Sequence, residues 1–158
     1  MPARKRSHLK RLSNVWLENP LYFITVCTAK RRPILLSAGI PDILVGSWQR
    51  SAEINGWVIG RYIVMPDHAH FFARRLPAGK TLNGFMRDWK RWTANQIIGV
   101  GEGLTAPVWQ PEFFDHVLRS AGSYLEKWNY VCENPVRAGL AVSSEVWPYA
   151  GECEILSF

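Results

Sequence analysis

Two histidines separated by a single residue are the groups in this chain best suited to chemistry. His68 and His70 lie in a run of apolar residues that follows Pro66-Asp67, a pair typical of a tight turn. Because side chains on a β-strand alternate between its two faces, both imidazoles would project from the same face. Two adjacent imidazoles can bind one divalent metal ion. Histidines spaced in this way are more often ordinary, partly buried residues than metal ligands. The rest of the sequence is therefore needed to decide between these two interpretations.

The elements that would position the histidines follow from hydrophobic patterning. The sequence predicts strands over 21–28, 57–64, 68–74 and about 114–118, and helices over 41–55, 81–98 and from 123 onward. This order is β-α-β-β-α-β followed by one more helix, which is the split βαβ pattern. We therefore expect an α+β, ferredoxin-like antiparallel sheet with an added C-terminal helix. Helices on one face of the sheet would leave the other face to the histidines and the last helix.

The limits of that last helix follow from local signals. Ser123 and Glu126 match a capping box, which predicts that the helix begins at Ser123. Pro135 disfavours helical backbone at Asn134, so the helix is predicted to end there. Tyr130 lies within these limits. A tyrosine on an amphipathic helix is most often part of the core, so its position alone does not indicate chemistry.

Composition and charge narrow the class of protein. The 158 residues are 47% hydrophobic and include eight tryptophans, which predicts one folded domain over 1–158, with a basic arm at 1–20 and a tail at 142–158. The net charge of +6 indicates a polyanionic partner. No apolar run approaches the roughly 20 residues that span a bilayer, so no membrane contact is expected. Three cysteines without a C-x-x-C pair favour a reducing, cytoplasmic setting.

Two groups of cations are candidates for contact with nucleic acid. In the N-terminal arm, like charges are dense enough either to form a solubilising tail or to follow a phosphate backbone. On the helix predicted over 81–98, cations accompany a tryptophan. A solvated helix face is the usual outcome there, and phosphate contact with base stacking is the alternative. The candidates are Arg4, Lys5, Arg6, Lys10 and Arg11 in the arm, and Arg87, Lys90, Arg91 and Trp92 on the helix.

Several motifs together resemble one known family. His68-Ala69-His70 resembles the histidine–hydrophobic–histidine (HUH) motif of single-strand endonucleases. The run YVCENPVRAGL, which begins at Tyr130, resembles the tyrosine helix of the REP-associated tyrosine transposases. The runs YFIT at 22–25, RRP at 31–33 and VMPD at 64–67 are similar to the same family. The resemblance covers about residues 21–141, and the order and spacing of the motifs make it specific.

The resemblance implies an enzyme that nicks and rejoins single-stranded DNA. Tyr130 would be the nucleophile and would form a covalent 5′-phosphotyrosine. His68 and His70 would hold Mg²⁺ or Mn²⁺, and Asn134, one helical turn after Tyr130, would be a third ligand, a helix cap, or both. The expected partner is single-stranded or hairpin DNA, because REP elements fold into imperfect stem-loops. A monomer and a homodimer that exchanges the tyrosine helix both fit this reading.

Two other functions fit parts of the pattern. A metal-dependent nucleotide hydrolase would use the histidine pair with water as the nucleophile, but the third alternating histidine expected of a histidine-triad enzyme is replaced by Phe72. A non-catalytic DNA-binding protein would keep the fold without cleavage, which the presence of His68, His70 and Tyr130 disfavours. The three functions differ in whether DNA becomes covalently attached to the protein.

Overall fold

The computed structural model describes residues 19–158, and the arm cations Arg4, Lys5, Arg6, Lys10 and Arg11 lie outside the described residues. The strands are β1 (Leu21–Cys27), β2 (Trp57–Val64), β3 (His68–Arg75), β4 (Phe114–Leu118) and β5 (Ala150–Glu152). The helices are α1 (Ile40–Gln49), α2 (Ser51–Asn55), α3 (Leu82–Val100), α4 (Ala121–Cys132) and α5 (Asn134–Arg137). Short 3₁₀ turns lie at Ala29–Arg31 and Ser144–Val146. No helix within residues 19–158 combines the length and the apolar composition needed to cross a bilayer.

One antiparallel sheet organises the described part of the chain. Its strands lie in the order β4-β1-β3-β2-β5, and all the pairings are antiparallel. Strands β1 to β4, with the helices between them, reproduce the predicted β-α-β-β-α-β order, so the expected α+β split βαβ fold is confirmed. Strand β5 comes from the tail predicted over 142–158 and pairs with β2 at the sheet edge. The histidine strand β3 is central, with β1 and β2 as its neighbours.

Helices α1 and α3 cover one face of the sheet. Trp48 of α1 stacks on Trp89 of α3 with a ring-centroid distance of 6.1 Å. Phe71 of β3 lies 5.1 Å from Trp48 and 5.6 Å from Trp89. None of the three side chains is more than 2% exposed, and burial of such a side chain is worth about 1.5–3 kcal/mol. This aromatic layer anchors β3 to the helices and leaves the alternate residues of β3 on the opposite face.

Helix α4 packs on that opposite face. The rings of Tyr124 and Trp128 lie 4.7 Å and 6.2 Å from the ring of Phe72. The guanidinium of Arg61, from β2, lies over both of these α4 rings. Because residues two apart on a strand share a face, Phe72 projects on the same side as His70. The last long helix therefore lies beside the histidines, as the sequence predicts.

The helix predicted over 41–55 is divided in two. Arg50, between α1 and α2, has φ −97° and ψ 0°. Ser47 donates a hydrogen bond to Leu44 O at 2.6 Å and accepts one from Trp89 Nε1 at 2.8 Å. Serine bonds to the backbone of the same helix often bend it, which accounts for a break that hydrophobic periodicity does not reveal. The predicted stop is confirmed, because Gly56 ends α2 in the left-handed region at φ 73°.

The start of α4 and the role of Pro135 differ from the sequence-based prediction. Ser123 is not the N-cap, because Ser120 occupies that position and its hydroxyl accepts from the Ser123 N–H at 3.1 Å. The Ser123 hydroxyl in turn accepts from the Ser120 N–H at 3.2 Å. The capping box is therefore formed by two serines, and Glu126 has no part in it. Pro135 lies in the first turn of α5, where its missing N–H costs no helical hydrogen bond, so helical structure resumes there.

Candidate active site

The two histidines lie side by side near one end of the central strand. His68 begins β3, and the ring centroids of His68 and His70 are 4.9 Å apart. Both side chains line one cleft on the face where α4 packs, so the predicted common face is confirmed. Phe23 of β1 stacks on His70 at a centroid distance of 5.1 Å. The neighbouring strand therefore supports the position of the second imidazole.

Each histidine uses its Nδ1 atom within the protein. His68 Nδ1 lies 2.7 Å from Asp67 Oδ1. Because an ionised carboxylate only accepts hydrogen bonds, the His68 proton is on Nδ1 and its Nε2 keeps a lone pair. His70 Nδ1 lies 2.8 Å from Thr25 Oγ1. Asp67 also accepts from Arg31 Nε at 2.9 Å. Partners of this kind orient the histidine ligands of metal sites and leave the other nitrogen for the metal.

Burial favours the neutral form of both imidazoles. It lowers the pKa of His68, against the opposing effect of the Asp67 carboxylate. It lowers the pKa of His70 well below the ordinary value, and the nearby charges of His68, Lys127 and Arg31 lower it further. Burial alone would raise the pKa of Asp67, but hydrogen bonds from His68 and Arg31 lower it overall. Neutral imidazoles beside an ionised carboxylate are in the protonation state that metal ligation requires.

Tyr130 lines the same cleft as the histidines, within one chain. Helix α4 buries Tyr124 and Val131 against the sheet, whereas Tyr130 is 63% exposed. Tyr124 is therefore the core tyrosine of this helix, and Tyr130 is not. The cleft has a volume of about 370 Å³, and its walls include Thr25, His68, His70, Lys127, Tyr130 and Asn134.

Asn134 reaches the cleft from the first turn of α5. The N-cap of this helix is Glu133, and no side chain within residues 19–158 caps it, so the structure does not give Asn134 a capping bond. Instead, Asn134 Oδ1 accepts a hydrogen bond from Arg137, which also donates to Tyr130 O at 2.8 Å. The Arg137 guanidinium lies 4.1 Å from the centroid of the Tyr130 ring. Arg137 thus connects the two side chains, and the amide oxygen keeps a second lone pair.

These groups fit a site for a hard divalent cation. The imidazoles of His68 and His70 and the amide oxygen of Asn134 line a single cleft. Mg²⁺ and Mn²⁺ accept oxygen and imidazole ligands with water completing the shell. Within residues 19–158, no group of three or more His, Cys, Asp or Glu side chains is placed to hold a metal. Beside the two imidazoles, the amide oxygen of Asn134 would be a further ligand.

The turn after β1 places Arg31 beside the histidines at a cost in backbone energy. Lys30 and Arg31 have φ values of 56° and 54°, which cost a residue other than glycine roughly 1–2 kcal/mol each. Arg31 N donates to Thr28 O at 3.0 Å, and Thr28 N donates to Asp67 O at 3.0 Å. The Arg31 side chain then reaches Asp67 and also Cys27 Sγ, at 3.2 Å. Strained backbone maintained next to a cleft is a reason to look for function.

The structure separates most of the α3 cations from the histidine pair. Arg91 and Trp92 line a second cleft of about 300 Å³, formed with α1 and α2 on the other face of the sheet. Arg50 lies over the Trp92 ring at 5.1 Å. Arg87 is ion-paired with Asp88 at 3.1 Å. These side chains are not brought together with the histidines, so the DNA contact predicted for them would involve a separate surface.

Lys90 has a contact that the sequence does not indicate. Its Nζ donates to Gln110 O at 2.8 Å and to Glu112 O at 2.7 Å. It also lies 5.7 Å from the ring centroid of Phe113. Burial lowers the pKa of Lys90 from 10.5 to about 8. The ammonium group thus fastens α3 to the segment that contributes Gln110 to the histidine cleft.

Several residues that shape the site are not singled out by the sequence patterns. They are Thr25, Arg31, Asp67, Lys127 and Arg137. Lys127 precedes Tyr130 by one helical turn, so helical spacing is a signal that points to it. Thr25 and Arg31 meet their partners only because β1 pairs with β3, and no local pattern reports that contact.

Comparisons with known proteins agree with the resemblance seen in the sequence. No protein-family model matches the chain. Over 139 residues the chain is 27% identical to the REP-associated tyrosine transposase of Escherichia coli strain K12, covering 85% of this chain and 78% of that protein. A solved REP-associated tyrosine transposase bound to a REP hairpin superposes with a TM-score of 0.72 at 22% identity, over 86% of this chain and 78% of that chain. A candidate transposase from Deinococcus radiodurans R1 has a TM-score of 0.55 at 20% identity, over 73% of this chain and 91% of its own.

Proposed function

We propose that this chain, a relative of the REP-associated tyrosine transposases, nicks and rejoins single-stranded DNA through a covalent bond to Tyr130. The predicted relationship is supported by a similar sequence and a similar solved structure, both of REP-associated tyrosine transposases, and we extend their class of enzyme to this chain. One observation carries the catalytic part of the proposal: a single chain brings Tyr130, His68 and His70 to the walls of one cleft. The residues come from β3 and α4, which are far apart in the chain, so motif content alone does not require this arrangement.

The exposure of Tyr130 suits a nucleophile. Its phenolic oxygen would attack the phosphorus of a DNA phosphodiester, forming a 5′-phosphotyrosine and releasing a 3′-hydroxyl. The proton that the phenol loses is balanced by the proton that the leaving oxygen gains. One diester replaces another, so a second 3′-hydroxyl can reverse the reaction without ATP. Arg137, stacked on the Tyr130 ring, would hold the ring in place and put positive charge near the developing phenolate.

A divalent ion, Mg²⁺ or Mn²⁺, would be held by His68, His70 and Asn134. When bound, it supplies Lewis-acid stabilisation of a phosphate oxygen. The protein's own contribution is to keep both imidazoles neutral through burial and to occupy the Nδ1 atom of each, and the Asp67 carboxylate leaves the His68 Nε2 atom free of a proton. Arg137 contributes by holding the Asn134 amide.

The proposed substrate is a hairpin with a flanking single strand. One support is the solved relative, which is bound to a REP hairpin. A second support is the net charge of +6, since phosphate contacts dominate the affinity of proteins for nucleic acid. Because Tyr130 and the histidines line one cleft of a single chain, a monomer would suffice for the reaction. The three free cysteines suit the cytoplasmic setting that we also propose.

A denaturation-resistant adduct is the test. The protein is incubated with a labelled hairpin that carries a flanking single strand, in Mg²⁺ or Mn²⁺, and we expect label to remain on the protein after denaturation. Tyr130→Phe should abolish the adduct and retain DNA binding. The matched control is Tyr124→Phe, on the same helix. The Tyr124 hydroxyl is buried without a hydrogen-bond partner among the described residues, so this variant should form the adduct normally.

The other outcomes identify the alternative functions. An adduct that persists in Tyr130→Phe would show that another residue is the nucleophile. Cleaved DNA without any adduct in the unmodified protein would favour a metal-dependent hydrolase. Binding without cleavage would favour a DNA-binding protein that keeps the fold alone.

A further inference from the structure

The histidine cleft has an uneven distribution of charge. Among the described residues that line it, Arg31 and Lys127 are charged and positive, and no acidic side chain is present. The two cations come from separate elements, Arg31 from the turn after β1 and Lys127 from α4. Asp67 is not among the lining residues, and it accepts hydrogen bonds from Arg31 and His68. A cleft with such a lining attracts an anion.

Arg31 is held so that part of its guanidinium remains available. Its Nε atom donates to Asp67 Oδ2 at 2.9 Å, and its Nη1 atom donates to Cys27 Sγ at 3.2 Å. The Nη2 atom has no hydrogen bond within residues 19–158, and the side chain is 52% exposed. Both bonds and the left-handed backbone at Arg31 set the direction of the side chain. A guanidinium fixed in this way is suited to a phosphate, whose oxygens match its fork of N–H donors.

Lys127 faces the cleft from the helix that carries Tyr130, one turn earlier. Its Nζ lies 5.2 Å from the centroid of the Phe23 ring, and the same ring stacks on His70. Within the described part of the chain, Lys127 forms no ion pair with an acidic side chain. The ammonium group is therefore held near the second histidine while its charge remains uncompensated.

We infer that Arg31 and Lys127 form a phosphate-binding pair that holds the backbone of a single DNA strand against the histidine cleft, without a metal ion. This inference rests on the proposed function for the identity of the anion, a phosphodiester. The pair binds and positions the strand. Because each cation comes from a different wall, a bound phosphate also links α4 to the turn after β1.

Binding without catalysis is the measurement that tests the pair. Tyr130→Phe protein in excess EDTA is titrated with a short, unstructured, fluorescently labelled single strand, and anisotropy gives Kd over a series of salt concentrations. Adding Lys127→Gln should weaken binding at low salt by about tenfold, because a charge-assisted hydrogen bond to phosphate is removed. It should also reduce the log–log salt slope by about 0.7, the value for one phosphate neutralised on a single strand. Lys127→Arg should restore both quantities.

The second cation and a matched control complete the design. Arg31→Gln should act in the same direction as Lys127→Gln, with circular dichroism reporting that the fold is retained. Arg119→Gln removes an exposed cation that follows β4 at the end of the sheet remote from the histidines, and it should change neither affinity nor slope. An unchanged slope in Lys127→Gln, or an equal loss in Arg119→Gln, would overturn the inference. The assay uses neither cleavage nor metal, so its result is independent of whether the adduct experiment succeeds.

Discussion

The protonation state of His68 depends on hydrogen bonds that link three side chains. Arg31 donates to Asp67 at 2.9 Å, and His68 donates to Asp67 at 2.7 Å. Burial alone would raise the pKa of Asp67, but these hydrogen bonds lower it. A carboxyl with a depressed folded-state pKa stabilises the fold above its unfolded value of about 3.9, and that contribution is lost as the pH falls through the folded value. Near neutral pH the carboxylate is therefore charged and keeps His68 Nε2 free.

Asp67→Asn tests this chain of hydrogen bonds. The substitution keeps the shape of the side chain but removes its charge, so it weakens both bonds. If His68 is a metal ligand, affinity for Mn²⁺ should fall by about 10–100-fold, as for other outer partners of histidine ligands. Isothermal titration calorimetry measures the change. The matched control is Asp88→Asn, which breaks ion pairs with Lys80 and Arg87 away from the cleft. Equal Mn²⁺ affinity in the two variants would show that Asp67 does not support metal binding at His68.

Helix α4 serves two purposes through its two sides. One side packs on the sheet with Tyr124 and Val131, which are 6% and 2% exposed. The adjacent side presents Lys127 and Tyr130 to the cleft, which Val131 also lines. The helix is short, and isolated helices of about 12 residues are marginal in water. The capping box at its start and the packing against the sheet therefore set how firmly the tyrosine is held.

The position of the N-cap leads to a prediction about stability. Ser120→Ala should lower the free energy of unfolding by about 1 kcal/mol, because the hydroxyl that accepts from the Ser123 N–H is removed. Glu126→Ala, at the exposed position that the sequence pattern assigns to the capping box, should change it by less than about 0.5 kcal/mol. Urea denaturation of the two variants measures both values. A larger loss of unfolding free energy for Glu126→Ala than for Ser120→Ala would support the capping box of Ser123 and Glu126 that the sequence predicts.

In the whole molecule, the sheet separates two basic surfaces. Arg31 and Lys127 lie at the histidine cleft, whereas Arg50 and Arg91 lie with Trp92 on the helical face. The N-terminal arm joins β1 at Leu21, and His68 pairs with Cys27 at the other end of that strand. The arm is therefore connected to the sheet at the end remote from the histidines. A hairpin stem and its flanking single strand carry phosphates at separate places. In the proposed function the arm would contact the stem, and the histidine cleft would hold the strand.

Deletion of residues 1–11 tests whether the arm follows a stem. The deletion removes five cations, and the log–log salt slope of hairpin binding should flatten by about 0.7–0.9 for every phosphate that those cations neutralise. Cleavage of a short, unstructured strand should change little, because the proposed catalytic residues lie downstream. Binding curves for full-length and truncated protein on both DNAs, across a salt series, provide the measurement. A hairpin slope that does not change would identify the arm as a solubilising tail.

Much of the fold, and several residues of the candidate site, can be predicted from the sequence because the relevant signals are local. A period of two places His68 and His70 on one face of a strand, whatever packs against it. The order of strands and helices is sufficient for the split βαβ fold, because short connections restrict the possible topologies. Tyr130 is recognised by the motif around it, and its exposure agrees with that reading.

Contacts between distant segments were decided only by the tertiary structure. Lys90 has the pattern of a surface cation, yet its amine is held by backbone carbonyls of a distant loop. Arg31 meets Asp67 only because β1 pairs with β3. Hydrophobic periodicity specifies which side of an element is buried, but it does not specify the partner. Strand register and helix packing bring together the cations, the carboxylate and the tyrosine around the histidine pair, and these depend on the chain as a whole.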